Sequence, residues 1–470
     1  MPNFLDEDSE KINQILDSVV VEALRFLSGI DSRAVGVSLP DKFEPVNLPD
    51  EGVGVDTALA DFKERYEPLL SGGVGPRYFG FVTGGVTPAA LVGDWLTSVY
   101  DQNALGSNES IAPQLELETL ALLRDLFGLS LAQTGIFVSG ATMANFVGLA
   151  TARQWMGHQH GVDVGQNGVW SLEPMRVFSG TPHSSIYKAL SMLGMGRGVV
   201  TEVQCLSNRE AIDVIELEKY LKEQHRHGQP GIVVANAGTL NTVDFDDVAA
   251  IANLKQKYNF WLHVDAAFGG FAACSPKYCH LVKGIDRADS ITIDAHKWLN
   301  VPYDAAMQFT RHQKLQSQVF QNAAAYLNQE ISSSNFVHLT PENSRRLRAL
   351  PSWFTLMAYG KTGYAEIVER NCRLAQWLGD KISGSRIFEL LSPVRLNGIC
   401  FTLKAGGKRV GFEEIRQYLR VLQEAGDIFL TPTVYKGIAA MRISITNWRT
   451  TEKDVEIAWQ ALQQGGSQVE

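Results

Sequence analysis

The stretch 290–298, SITIDAHKW, sets an amine beside an aspartate, a histidine and a tryptophan. Ile291, Thr292 and Ile293 read as a short buried strand, and Lys297 stands just past its end. Burial disfavours an ammonium and favours the free amine, the nucleophile that Schiff-base chemistry with an aldehyde requires. Asp265 closes a second apolar run, 260–264, where an unpartnered carboxylate is costly and needs a cationic or N–H partner. A third run, 175–179, delivers Gly180-Thr181-Pro182-His183. A fourth, 135–138, opens through Ser139-Gly140-Ala141-Thr142 into a helix. A helix start built of small residues leaves backbone N–H groups free at the positive end of the dipole, the outline of a phosphate cradle. Taken singly, each feature has a plainer reading: a solvated lysine, a capped helix, a packed histidine. Together they are the parts that hold pyridoxal 5′-phosphate, with Lys297 as Schiff base, Asp265 on the pyridinium nitrogen, His183 stacked on the ring and the helix start at 139–142 on the phosphate.

Such residues need a sheet whose strands end along one edge. From Thr134 onward, short apolar runs alternate with helical segments: 231–236 (GIVVAN) leads to Ala237-Gly238-Thr239, a helix is expected over 245–258, and the runs ending at Asp265 and Lys297 follow. This rhythm predicts an α/β fold with a mostly parallel sheet covered by helices and ligands outside the carboxyl ends of the strands. Upstream, residues 7–28 carry apolar side chains at helical spacing, and Pro40, Pro45 and Pro49 mark an extended connector. That segment buries little by itself, so it is expected to pack on a second subunit. Helices are also expected over 56–70, 87–103 and 112–126. Between the first two of these, GGVGPRYFGF at 72–81 interleaves glycines with aromatics, and Phe79 and Phe81 are candidates to line a substrate pocket.

The chain has 470 residues, 45% hydrophobic and 20% charged, ordinary for a globular protein with a sizeable core. A net charge of −9 without any dense Lys/Arg block argues against nucleic acid or an anionic membrane as partner. The acidic start MPNFLDEDSEK does not read as a secretory signal, and no apolar run approaches the ~20 residues of a membrane span. Five scattered cysteines suit a reducing cytoplasm. Cys274, Cys279 and His280 cluster without a second pair, so no metal site is expected.

At these residues the chain resembles the group II pyridoxal-phosphate-dependent amino-acid decarboxylases, the family of aromatic L-amino-acid, histidine and glutamate decarboxylases. The matching motifs are SGTPHSS at 179–185, HVDAAFGG at 263–270 and DAHKW at 294–298; looser ones are GPRYFGF at 75–81, APQLELE at 112–118, SRRLRAL at 344–350 and MRISITNW at 441–448. The resemblance implies an aspartate aminotransferase-like architecture (fold type I) working as a homodimer. Its parts would be an N-terminal helical segment (1–75), a large cofactor domain (76–350) and a small C-terminal α+β domain (351–470). It implies Lys297 as the covalent anchor, Asp265 on the ring nitrogen, His183 on the ring, Ala141 and Thr142 on the phosphate with His296 close by, and Thr239 near the ring or phosphate. Tyr326 is the candidate for the family's mobile-loop tyrosine, which protonates the carbanion after carbon dioxide leaves. The segment before Ser344 is shorter than in the animal aromatic decarboxylases, and Ser179-Gly180 departs from the Ser-Asp common there. The expected reaction is decarboxylation of an L-amino acid, aromatic or bulky, to its amine. The alternatives are an aldehyde synthase, a lyase or an aminotransferase on the same fold, or a scaffold without activity. Arg345, Arg346, Arg348 and Arg442 are candidates for binding a substrate carboxylate, against a plainer reading as surface or helix-start charges.

Overall fold

In a computed structural model, residues 4–466 are described apart from 41, 43, 106–109, 171, 174 and 323–334. Seven strands form the main sheet: β1 (Thr134–Val138), β2 (Val177–Ser179), β3 (Val200–Glu202), β4 (Gly231–Asn236), β5 (Phe260–Asp265), β6 (Ser290–Asp294) and β7 (Ala306–Thr310), in the order β1-β7-β6-β5-β4-β2-β3. Every residue of β4, β5 and β6 is buried, as befits parallel strands with helices over both faces. The pairs β2/β3, β2/β4, β4/β5 and β5/β6 are parallel, while β7 runs antiparallel to both of its neighbours. Reversing β7 between β1 and β6 leaves those two pointing the same way. The carboxyl ends of β1, β2, β4, β5 and β6 therefore share one edge.

The helices differ from expectation where capping side chains intervene. Thr87 accepts a bond from Ala90 N at 3.2 Å and Pro88 occupies the first turn, so that helix spans Pro88–Tyr100. Asp247 accepts from Ala250 N at 2.9 Å and starts the helix Val248–Leu254, shorter than the 245–258 expected. The N-terminal segment is two helices, Phe4–Glu10 and Ile12–Ser28, and neither buries a residue. No helix among the described residues is long and apolar enough to cross a membrane.

The helix Ala349–Ser383, broken by Gly360 at φ 57°, runs across position 350/351 into the C-terminal part. There β8 (Phe388–Leu390), β9 (Gly398–Ala405), β10 (Lys408–Arg409), β11 (Thr431–Tyr435) and β12 (Ile438–Ser444) form an antiparallel sheet, accompanied by the helices Phe412–Ala425 and Glu452–Gly466. Its core, around Phe388, Phe401, Tyr418 and Met441, is separate from that of the large sheet.

Candidate active site

Past β6 the chain turns sharply: Ala295 N and His296 N both donate to Ala305 O, at 3.0 and 3.1 Å. The turn brings Lys297 Nζ to 3.3 Å from Asp294 Oδ2, while His296 Nε2 lies 3.3 Å from Asp294 Oδ1. Burial by itself would raise the Asp294 carboxyl, but Lys297 and His296 outweigh it and hold it below the usual carboxylate range. Lys297 is thus ion-paired, not isolated in apolar surroundings as its place after a buried strand suggests. Its Nζ also stands 5.8 Å from the Phe268 ring centroid. Residues 83–87 strap this turn down. A Cβ on Gly84 would fall 1.8 Å from Lys297 O, so only glycine fits. Asn300 Oδ1 accepts from Gly85 N at 2.9 Å and Trp448 N at 3.0 Å, and Asn300 Nδ2 donates to Trp298 O and Thr446 O.

Asp265, at the end of β5, accepts from Asn145 Nδ2 at 3.0 Å and from Ala267 N at 3.2 Å. His183 caps the helix Ser184–Met192, its Nδ1 accepting from Ser185 N at 3.2 Å with Ser185 Oγ at 2.8 Å. Burial lowers the His183 pKa, with Asp265 opposing and Lys297 and Arg442 reinforcing the shift.

One cavity of about 390 Å³ brings together Ser139, Gly140, Ala141 and Thr142 at the start of the helix Ala141–Gln159, then His183, Asp265 and Lys297, then Thr239 and His296. The Thr239 hydroxyl is committed to Glu210 at 2.6 Å. A nucleophilic amine, a carboxylate acceptor and the open N–H groups of a long helix, all facing one cavity, are a donor set that fits pyridoxal phosphate. A second cavity, about 770 Å³, shares His183, His296 and Lys297 and adds Tyr78, Phe81, Tyr303 and Arg442.

Phe81 lines that second cavity and is 57% exposed. Phe79 lines neither: it is buried in the C-terminal core, its N–H donating to Phe429 O. Three of the candidate arginines are spent elsewhere, Arg345 on Glu116, Arg346 on Asp94, and Arg348 on Asp304 and Glu342. Arg442 is buried, donates to Leu240 O at 2.8 Å, leaves Nε without a partner and makes no ion pair among the described residues, with Glu210 acting on it only at longer range. Tyr326 lies outside the described residues. Among those residues, no group of three or more His, Cys, Asp or Glu side chains is placed to hold a metal ion.

Sequence reasoning missed Asn145, Asp294 and Tyr303 as site residues. Tyr303 OH lies 3.2 Å from Thr83 Oγ1, and its ring is 4.4 Å from that of His296. Asn145 left one signal, a polar side chain on a helix face otherwise made of Ala144, Val147 and Gly148.

The family model described as pyridoxal-dependent decarboxylase conserved domain matches residues 40–404. An aromatic-L-amino-acid decarboxylase of Bacillus atrophaeus is 28% identical over 81% of this chain and 79% of its own length. Tyrosine decarboxylase 4 of Petroselinum crispum is 26% identical over 89% of this chain and 85% of its own. The solved structure of Oryza sativa TDC with PLP and tryptamine superposes with a TM-score of 0.90 at 21% identity, covering 98% of each chain.

Proposed function

The chain belongs to the pyridoxal-dependent decarboxylase family, and from that premise we propose which residues carry its reaction and on what substrate. It is a pyridoxal-phosphate-dependent amino-acid decarboxylase. The convergence of Lys297, Asp265, His183 and the helix start at 139–142 on one cavity supports the assignment of roles. When bound, pyridoxal phosphate supplies an electron sink conjugated to the substrate's amino nitrogen. Lys297 is its covalent anchor, kept in place by the ion pair with Asp294. Asp265 receives the ring N–H, its carboxylate plane set by Asn145 and Ala267. His183 packs on the ring, and the N–H groups from Ala141 onward hold the phosphate, with Ser139, Gly140, Thr142 and His296 around it and Thr239 beside the ring. Tyr326 would supply the proton that replaces the substrate's carboxylate.

Arg442 recognises the substrate's carboxylate: its buried guanidinium lines the cavity beside Lys297 and makes no ion pair among the described residues. Tyr78, Phe81, Val82 and Tyr303 form the walls for the substrate's side chain, which favours an aromatic amino acid, in keeping with the names of the relatives. The enzyme works in the cytoplasm, in amino-acid metabolism, as a homodimer whose chain acts as three parts, 1–75, 76–350 and 351–470. The unburied helix Ile12–Ser28 supports the second copy, and the two separate sheets support the division.

Incubation with each common amino acid, with products identified by mass spectrometry, tests the substrate and the reaction. The expected products are carbon dioxide and an arylalkylamine. Keto acids without carbon dioxide would make it an aminotransferase, and an aldehyde as main product would make it an aldehyde synthase.

A further inference from the structure

A chain of buried hydrogen bonds runs from strands β5 and β6 through the helix Ala141–Gln159 to the two side chains that face the cavity. Trp261 Nε1 lies 2.9 Å from Ser290 Oγ, Ser290 Oγ lies 2.7 Å from His263 Nδ1, and His263 Nε2 lies 2.9 Å from Asn145 Oδ1. Asn145 Nδ2 then divides between Asp265 Oδ2 at 3.0 Å and Ser185 Oγ at 3.1 Å, and Ser185 Oγ reaches His183 Nδ1 at 2.8 Å. Trp261, Ser290, His263 and Asn145 are all wholly buried. Gly148 makes room for the crossing, since a Cβ there would lie 2.8 Å from His263 Cε1 and 3.2 Å from Ser290 Oγ.

Two members of this chain have a single role: an indole N–H only donates, and a carboxylate only accepts. Asp265 therefore fixes the Asn145 amide with Nδ2 towards it, which turns Oδ1 to His263 and requires a proton on His263 Nε2. Burial holds His263 neutral, its pKa pushed down to about 4, so its Nδ1 accepts from the Ser290 hydroxyl. Ser290 Oγ then has a lone pair for Trp261. On the other side, both Asn145 amide hydrogens are spent, one on Asp265 and one on Ser185. The Ser185 hydroxyl must in turn donate to His183 Nδ1, which also accepts from Ser185 N at 3.2 Å.

We propose that Asn145 is a positioning residue for the decarboxylase reaction. It sets the plane of Asp265 and, through Ser185, holds His183 as the neutral imidazole with its proton on Nε2. The proposal rests on reading this cavity as the pyridoxal phosphate site. It makes His183 a fixed N–H donor at the ring with no free Nδ1 lone pair. The charged groups that act on His183 are Asp265, Asp294, Lys297 and Arg442.

The test is nitrogen NMR of protein labelled with [¹⁵N]histidine, apo and loaded with pyridoxal phosphate, with His183→Gln to assign the resonances. At neutral pH His183 Nδ1 is expected in the unprotonated range and Nε2 in the protonated range. In Asn145→Ala and Ser185→Ala this bias is expected to relax, and pyridoxal phosphate affinity, measured by titration of the apoprotein, to fall about 10- to 100-fold. Ser185→Ala removes a single oxygen and carries the test if Asn145→Ala does not fold. A proton on Nδ1 in the wild type, or an unchanged tautomer and affinity in the folded variants, would overturn the proposal. A wild-type protein that binds no pyridoxal phosphate would sink the cofactor reading instead, with the apoprotein spectra still deciding the donor chain.

Discussion

Asp294 is the carboxylate that two side chains of the turn after β6 share, since Lys297 and His296 each lie 3.3 Å from one of its oxygens. With Lys297→Ala, sodium borohydride should fix no cofactor to the purified protein, and turnover should fall on the order of 10⁴-fold or more. A borohydride-stable adduct on another lysine would move the anchor. His263 makes a separate prediction about acid. Unfolded, its imidazole takes a proton below the ordinary 6.5, whereas folded it stays neutral to about 4. The unfolded state thus binds more protons in that window, and stability drops as pH falls from 6.5 towards 4, by roughly 3 kcal/mol in all. Urea unfolding at several pH values should show this slope in the wild type and a shallower one in His263→Gln. Equal slopes would mean that His263 is charged in the folded protein.

Elements, more than single side chains, hold Lys297 in register. Gly84→Ala drives a methyl into Lys297 O, and the strap must lift. We expect a folded protein whose turnover falls about 10²-fold, the usual cost of an ångström's misplacement; a fully active variant would mean the strap does not position the lysine. Arg345 ties the chain after residue 334 to Glu116 on the helix Ala112–Leu126, and both side chains are wholly shielded from solvent. Arg345→Met strands a buried carboxylate and should lose about 3–5 kcal/mol in urea unfolding, much of it regained in the double variant with Glu116→Leu. A loss below about 1 kcal/mol would show the pair to be dispensable. The strands that end in chemistry were legible because β4, β5 and β6 each carry a short run of apolar or β-branched residues and are buried throughout. By contrast, β3 is three residues at a sheet edge and only partly buried, and β7 follows β6 with no helix between them, outside the strand–helix rhythm, so neither announces itself. Phe79 and Phe81 look alike in the chain. Their separation into core and cavity is decided by Phe429, a partner far away in sequence, whose carbonyl takes the Phe79 N–H. Asn145 was obscured for the same reason, since its partners Asp265, His263 and Ser185 come from other elements.

For the molecule as a whole, the helix Ile12–Ser28 presents Leu16, Val21 and Leu24 to solvent and borders an apolar groove of about 650 Å³ that includes Phe62 and Trp95. An exposed apolar surface of this kind fits a second copy of the chain. Sedimentation equilibrium should give twice the chain mass. Deleting residues 1–28 should yield monomers with little activity, whereas an active, monomeric full-length chain would contradict the dimer. The Asn300 side chain has a further consequence. Its partners Gly85, Thr446 and Trp448 lie 215, 146 and 148 residues away, so the lysine's turn is braced by segments far before and far after it in the chain. During synthesis, Lys297 leaves the ribosome well before residues 446–448 do. A chain that stops before them therefore presents Lys297 on a turn that lacks the Thr446 and Trp448 contacts to Asn300.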